Sequence, residues 1–313
     1  VVICPKVVRK TWSEVLTQFG IVAHAIVNYE KITRGNTEHY TYTKKEYDNA
    51  RNWWESKGIN IHFPKRCLVI VDEVHKTKGL NSLNGEMLVA LKNNGYNLLL
   101  LSATAATNVT EMKNFGYATN LHIGSNFRDF VKDHGVTYNN FGAMVWDSSS
   151  DACVNAMKRI HTTLYKTTNI ASRMTRDMFK GIFPENRLSA DLFDLGSVNT
   201  AKFNKVIEQM EAELAALDER SKDYSSHHFA VLMKMRRHTE LLKVPAIVDW
   251  VETMYDEGIS PVVFVNFMDS VAAIENRLSK RFAGKVAKIV GGQSERARND
   301  DIGAFQADNK RIM

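Results

Sequence analysis

The stretch that most restricts how this chain can fold is Cys67 to His75, CLVIVDEVH. Cys67 to Val71 is an unbroken apolar run rich in β-branched residues, the pattern of a strand covered on both faces in a parallel sheet. Asp72 and Glu73 fall where that strand leaves the sheet, the edge at which open α/β sheets bind ligands. Two neighbouring acids there suit a metal ion and a reacting water. On these residues alone, an acidic strand-to-helix loop serving a helix dipole fits equally well.

A second apolar run, Leu98 to Leu101, ends in Ser102-Ala103-Thr104, so two strands deliver polar groups to one edge. Asp72-Glu73-Val74-His75 followed by Ser102-Ala103-Thr104 resembles motifs II and III of superfamily 2 helicases and translocases, the DExH and SAT signatures. VVICPKVVRKTWSEVL at residues 1–16 resembles motif Ia of the Snf2 group, with a Cys-Pro strand end and a Trp on the next helix. Asn28-Tyr29-Glu30 is similar to the Tyr-Glu turn of motif Ib. IASRMTRDMFKGIFPENRLSADLF, carried by Arg173, Arg176 and Pro184, resembles the Snf2 passage into a second motor domain. ELLKVPAIVDWVETMYDEGISPVVFVNFMDSVAAIENRL resembles motif IV and its preceding helix, especially in the branch with the annealing helicases. The turn at Gly291 to Ser294, Arg296 and Phe305-Gln306 are similar to the segment that follows.

The resemblance implies roles residue by residue. Asp72 would hold Mg2+, through water, and Glu73 would polarise the water that attacks ATP. His75 would link the nucleotide site to the rest of the motor, and Ser102 and Thr104 would couple it to nucleic-acid binding. Pro5, Lys6 and Asn266 hold the positions that the resemblance assigns to DNA contact. The loop GxxxxGK[ST] that cradles phosphates does not occur in these 313 residues. By the resemblance it lies before Val1, and the arginine finger lies beyond Met313.

Length also argues for two domains, since 313 residues exceed the usual limit of one core. The boundary is expected near Phe183 to Asn186, where periodicity changes and one of five prolines occurs. The expected fold is α/β, with a first RecA-like domain over 1–183 and a second over 184–313. Both would have parallel sheets flanked by helices, and both would be incomplete at the chain ends. A net charge of +6 and a pI near 9.0 favour a polyanionic partner. Cys4, Cys67 and Cys153 lack metal-ligand spacing, which suits reduced thiols inside a cell. No apolar run reaches the length of a membrane span, and no signal peptide opens the chain, so a soluble intracellular protein is expected.

Along the chain, Thr11-Trp12-Ser13-Glu14 fits a capping box opening a helix through Phe19, and Ile21 to Val27 reads as a strand. Residues 33–57 interleave Lys and Arg with Tyr40, Tyr42, Tyr47, Trp53 and Trp54, which suits base stacking or an amphipathic helix. Lys76 and Lys78 read as phosphate contacts or solvated charges. Residues 151–183 read as helical, with Val154, Met157, Ile160 and Leu164 on the buried stripe. Strands are expected at Leu188–Leu195, Pro261–Val265 and Val286–Val290, and a helix at Phe203–Leu217. Residues 218–228 read as a loop, and Leu241–Glu257 as a helix interrupted or started at Pro245.

The resulting expectation is the central part of an ATP-dependent, Snf2-like DNA motor, with double-stranded DNA the favoured partner. A DExH RNA helicase and a catalytically inactive DNA-binding scaffold of the same fold are the alternatives. These 313 residues alone are expected to hydrolyse ATP poorly or not at all, and DNA-stimulated turnover by them in a phosphate-release assay would overturn that.

Overall fold

The computed structural model describes residues 1–34, 37–38, 40–42, 46–48, 53–55, 59–140, 142–179, 181–182, 188, 190, 196–217 and 224–313. The chain divides into two compact units, Val1–Pro184 and Glu185–Met313.

The first unit is built on a parallel sheet of four strands. They are β1 (Val2–Cys4), β2 (Ile26–Asn28), and two that follow a pair of small antiparallel ladders. Those ladders pair β3 (Tyr40–Tyr42) with β6 (Ile59–Ile61), and β4 (Glu46–Asp48) with β5 (Trp53–Glu55). The main sheet resumes with β7 (Leu68–Asp72) and β8 (Asn97–Leu101), in the order β2-β1-β7-β8. β7 pairs with β1 on one side, and on the other runs in register with β8 from Leu68 opposite Asn97 to Asp72 opposite Leu101.

Alternation along β7 covers both faces of the sheet. Val69 and Val71 are fully buried with Met87, Leu88 and Leu91 of α3 (Leu83–Asn93), while Ile70 packs on the opposite face beside Trp12 and Leu16 of α1 (Arg9–Gln18). The expected capping box at Thr11 is not used. A turn of tight helix over Lys6–Val8 runs directly into α1, so Thr11 lies inside the helix and the entry has no side-chain cap. After β2 comes α2 (Tyr29–Arg34). The strand expected from Ile21 begins only at Ile26, because residues 21–25 form a loop in which Val22 is almost wholly exposed. The helical alternative for residues 33–57 fails, since Trp53–Glu55 is strand; the side chains of Tyr40, Tyr42, Tyr47, Trp53 and Trp54 lie outside the described residues.

Beyond β8, α4 (Met112–Ala118), α5 (Phe127–Asp133), the hairpin of β9 (Thr137–Tyr138) with β10 (Met144–Val145), and α6 (Asp151–Thr162) enclose a second core. α6 starts on Ser150, whose hydroxyl accepts from the Cys153 N–H. Its buried stripe is Cys153, Ala156, Ile160 and Leu164, one residue before the expected Val154, which is exposed. Helical backbone ends at Thr167 instead of continuing to 183, apart from a short turn at Arg176–Phe179. Ile170, Met174, Met178 and Ile182 stay exposed there, so little apolar burial supports a longer helix.

The second unit contains α7 (Gly196–Ala215), α8 (Tyr224–Asp256), α9 (Met268–Arg281) and α10 (Glu295–Gln306). α8 begins before the expected Phe229 and continues through Pro245. Proline removes one helical hydrogen bond, but Val244, Val248 and Val251 are buried with Ile274 and Leu278 of α9, which offsets the loss. Pro261–Val265 and Val286–Val290, expected as strands, are extended segments joined through the chain's last residues. The Val263 N–H donates to Met313 O at 2.7 Å, the Ala287 N–H donates to Ile312 O at 2.7 Å, and Val286 and Ile312 form one parallel bridge. The boundary at Phe183–Asn186 lies outside the described residues, as does most of the expected strand at Leu188–Leu195.

Close packing fixes the segment after β7. Buried Asn114 of α4 donates from Nδ2 to Thr77 O at 2.8 Å and to Gly79 O at 3.0 Å, against Gly85 of α3. A Cβ at residue 85 would sit 2.1 Å from Asn114 Nδ2 and 3.1 Å from Thr77 O. Gly85→Ala is therefore expected to expel the amide and destabilise the first unit by about 1–3 kcal/mol, the cost of buried groups left unpaired. Urea unfolding of Gly85→Ala, Asn114→Ala and the double variant checks this, and the two losses should be strongly non-additive.

Candidate active site

All four strands of the main sheet are parallel, so their carboxyl ends meet at one edge. Pro5 follows β1 there and opens the turn carrying Lys6; Tyr29 follows β2; Asp72 ends β7; and Ser102 and Thr104 follow β8. The structure thus brings together Pro5, Lys6, Asp72, Glu73, His75, Ser102 and Thr104 of the expected set. Asn266 belongs to the other unit.

Asp72 accepts a hydrogen bond at Oδ2 from the Trp12 indole, 2.8 Å away. Glu73 has a left-handed backbone, φ 54° and ψ 50°, a conformation that costs a non-glycine residue about 1–3 kcal/mol and recurs at functional sites. The Tyr29 hydroxyl supports that turn, donating to Asp72 O at 2.5 Å and reaching Glu73 O at 3.3 Å. Tyr29 is 2% exposed. Burial, followed by the charge of Asp72, pushes its phenol well above the ordinary value of 10.0, so it stays a donor through neutral pH.

His75 connects the two strand ends. Its Nδ1 lies 3.0 Å from Glu73 Oε2 and 3.2 Å from Ser102 Oγ; protonated there, the ring donates to these oxygens, and in the other tautomer Nδ1 accepts from the Ser102 hydroxyl. The same Ser102 oxygen accepts from the Thr104 N–H at 3.3 Å, folding the segment after β8 around the serine. Thr104 itself is exposed. Lys78, read from sequence as a phosphate contact or a solvated charge, instead pairs with Glu111 at 2.9 Å. Burial opposes ionisation of Glu111, but hydrogen bonds from Lys78 and Thr107 outweigh it and hold the carboxyl below its ordinary range. Cys4 lies fully buried near Asp72; burial and that carboxylate raise its thiol to about 11, so it is a core residue and no nucleophile.

The donors at this edge suit Mg2+. Asp72 and Glu73 offer hard oxygens, and among the described residues no group of three or more His, Cys, Asp or Glu could enclose a metal. One or two carboxylates, completed by water and substrate phosphates, is how Mg2+ is commonly held. Trp12 and Tyr29 belong to the motif Ia and Ib resemblances, but motif reading gave neither a role at the acids; their contacts to Asp72 and to the main chain of Asp72 and Glu73 come from the structure.

In the second unit, Asn266 ends an extended segment and is held by Glu240 of α8. Its Nδ2 donates to Glu240 Oε2 at 2.8 Å, and the backbone N–H groups of Asn266 and Phe267 donate to the same carboxylate at 2.9–3.1 Å. Burial alone would raise the Glu240 carboxyl, but the Ser270 hydroxyl, followed by the Asn266 and Phe267 donors, lowers it. Arg237, one turn earlier, pairs with Asp269.

The sheet edge of the first unit thus carries an acidic pair at the carboxyl end of β7, linked through a histidine to the segment after β8. Over its whole length the chain is 25% identical to a protein of Acanthamoeba polyphaga mimivirus named "Putative ATP-dependent RNA helicase", and it spans 59% of that relative. No protein-family profile matches the chain. Among the described residues, no helix is long and apolar enough to cross a membrane.

Tyr29 makes a pH-dependent contribution that can be measured. A raised phenol in the folded state stabilises below the unfolded value and loses that stability as pH climbs beyond it. Wild type is therefore expected to lose more unfolding free energy than Tyr29→Phe between pH 9 and pH 11, roughly the range around a free tyrosine's titration. At pH 7, Tyr29→Phe should cost about 1–3 kcal/mol by leaving buried carbonyls unpaired; denaturant titrations at each pH read both effects.

Proposed function

We propose that this chain is the central part of an ATP-dependent nucleic-acid motor, with the first unit supplying the water-activating half of its ATPase site. The observation that carries the reading is the His75 bridge between Glu73, beside the β7 end, and Ser102, beyond the β8 end. It joins the acid pair to the second strand end through side chains alone.

In this reading Asp72 holds the nucleotide-bound Mg2+. Bound Mg2+ would neutralise charge on the phosphates as they separate. Glu73 orients the attacking water and draws off its proton, the task of a general base. His75 Nδ1 lies within reach of both Glu73 and Ser102, so a change at Glu73 would be passed to the segment through Thr104. Pro5 and Lys6, following the neighbouring strand β1, are proposed to meet the nucleic-acid backbone from the same edge.

The polymer we propose is DNA, in a Snf2-like motor. Cys4-Pro5-Lys6 with Trp12, and the passage with Arg173, Arg176 and Pro184, support that reading. An RNA helicase is the second reading, favoured by the name of the mimivirus relative. ATPase stimulation of the full-length polypeptide by double-stranded DNA, single-stranded DNA and RNA separates the two; stimulation by RNA alone would remove the DNA assignment. Glu73→Gln should lower kcat by roughly 100-fold or more, the scale of general-base losses, with little change in nucleotide affinity. A Glu73→Gln enzyme as active as wild type would remove the site assignment.

A further inference from the structure

Taking Asp72 as the metal-holding carboxylate, we propose that Trp12 is a positioning residue that makes Asp72 a one-oxygen ligand and tunes the site toward Mg2+. The indole reaches Asp72 from an element 60 residues away in sequence. Its ring packs in the apolar layer formed by Val2, Cys4, Leu16 and Ile70, on one face of the sheet. Tyr29 packs with Val69 and Val71 on the opposite face and holds the main chain of the same acidic residue. The end of β7 is thus fixed from both faces, at the carboxylate by Trp12 and at the backbone by Tyr29.

The contact at Oδ2 has a chemical consequence. A charge-assisted hydrogen bond at 2.8 Å commits that oxygen, leaving Oδ1 as the one offered to a cation. Mg2+ demands near-octahedral geometry and takes carboxylates through single oxygens, whereas Ca2+ accepts both oxygens of one carboxylate. A donor that occupies one oxygen therefore favours the smaller ion. It acts through the orientation of a ligand, as groups behind metal ligands commonly do.

The test is made on the 313-residue chain with metal alone, without nucleotide. Mn2+ binding is followed by the electron paramagnetic resonance signal of the free ion, and Mg2+ and Ca2+ are measured by displacement. Trp12→Phe keeps the ring packing and removes the donor. It is expected to weaken Mg2+ roughly 10-fold, the lower end for loss of an orienting group, and to weaken Ca2+ less. Trp12→His, which restores an N–H donor, should recover part of the preference. A Trp12→Phe protein with wild-type Mg2+ affinity and wild-type Mg2+ to Ca2+ ratio overturns the proposal. If Asp72→Asn binds Mn2+ as wild type does, the metal reading itself is wrong and the Trp12 role falls with it. Should Trp12→Phe fail to fold, the wild-type chain still decides through its 15N-indole spectrum. One of five tryptophan N–H signals is expected to shift with Mg2+ along the isotherm that displaces Mn2+, and no shifting signal overturns the proposal.

Discussion

The pairing of β7 with β1 on one side and β8 on the other is the constraint on which the rest of the first unit depends. Because the three run parallel, the register that places Asp72 opposite Leu101 also places Ser102 one residue past it. A slip of one residue would reverse the faces of the strand, sending Val69 and Val71 out of the α3 core. The burial of these two valines therefore sets the height at which the acids emerge. Hydrophobic packing and the position of the charges are one structural fact.

Around that strand end, polar contacts come from four separate elements. α1 supplies Trp12, the start of α2 supplies Tyr29, the turn after β7 supplies His75, and the end of β8 supplies Ser102. The His75–Glu73 pair is solvent-accessible on both sides, at 38% and 42%, so its ionic contribution to stability is small. Its value lies in geometry, since the same His75 nitrogen also reaches Ser102 beyond the end of β8. The buried contacts of Tyr29, in contrast, are structural, because carbonyls removed from water need a donor.

How far the architecture could be read from sequence depended on how local its causes were. β7 and β8 were both legible as continuous apolar runs with acids or hydroxyls directly after them, although of the two only β7 is covered on both faces: β8 lies at the sheet edge, none of its residues is fully buried and Leu99 is exposed. Helix entries were less legible: α1 begins from the turn after Pro5, so Thr11-Trp12-Ser13-Glu14 looks like a cap but is helix interior. Ile160 and Leu164 were legible, but the start of the α6 stripe was misplaced by one residue because Cys153 and Ala156 are small and Val154 is the larger hydrophobe. α8 passed through Pro245 because α9 packing outweighed local propensity. At the site, Asp72, Glu73, His75 and Ser102 were legible as a motif. Trp12 and Tyr29 were legible as motif residues but their contacts were not, since these arise from spatial neighbours 60 and 43 residues away.

The carboxylate of Glu240 has a further meaning for the second unit. The amides of Asn266 and Phe267, at the start of α9, are the kind of donors that receive phosphates at helix N-termini. Here they already hold an anion that belongs to the chain itself. A tethered group acts at an effective concentration that a free ion in solution does not match. Stray sulfate or phosphate thus competes poorly at this point, and a ligand that displaces Glu240 must arrive anchored by contacts made elsewhere.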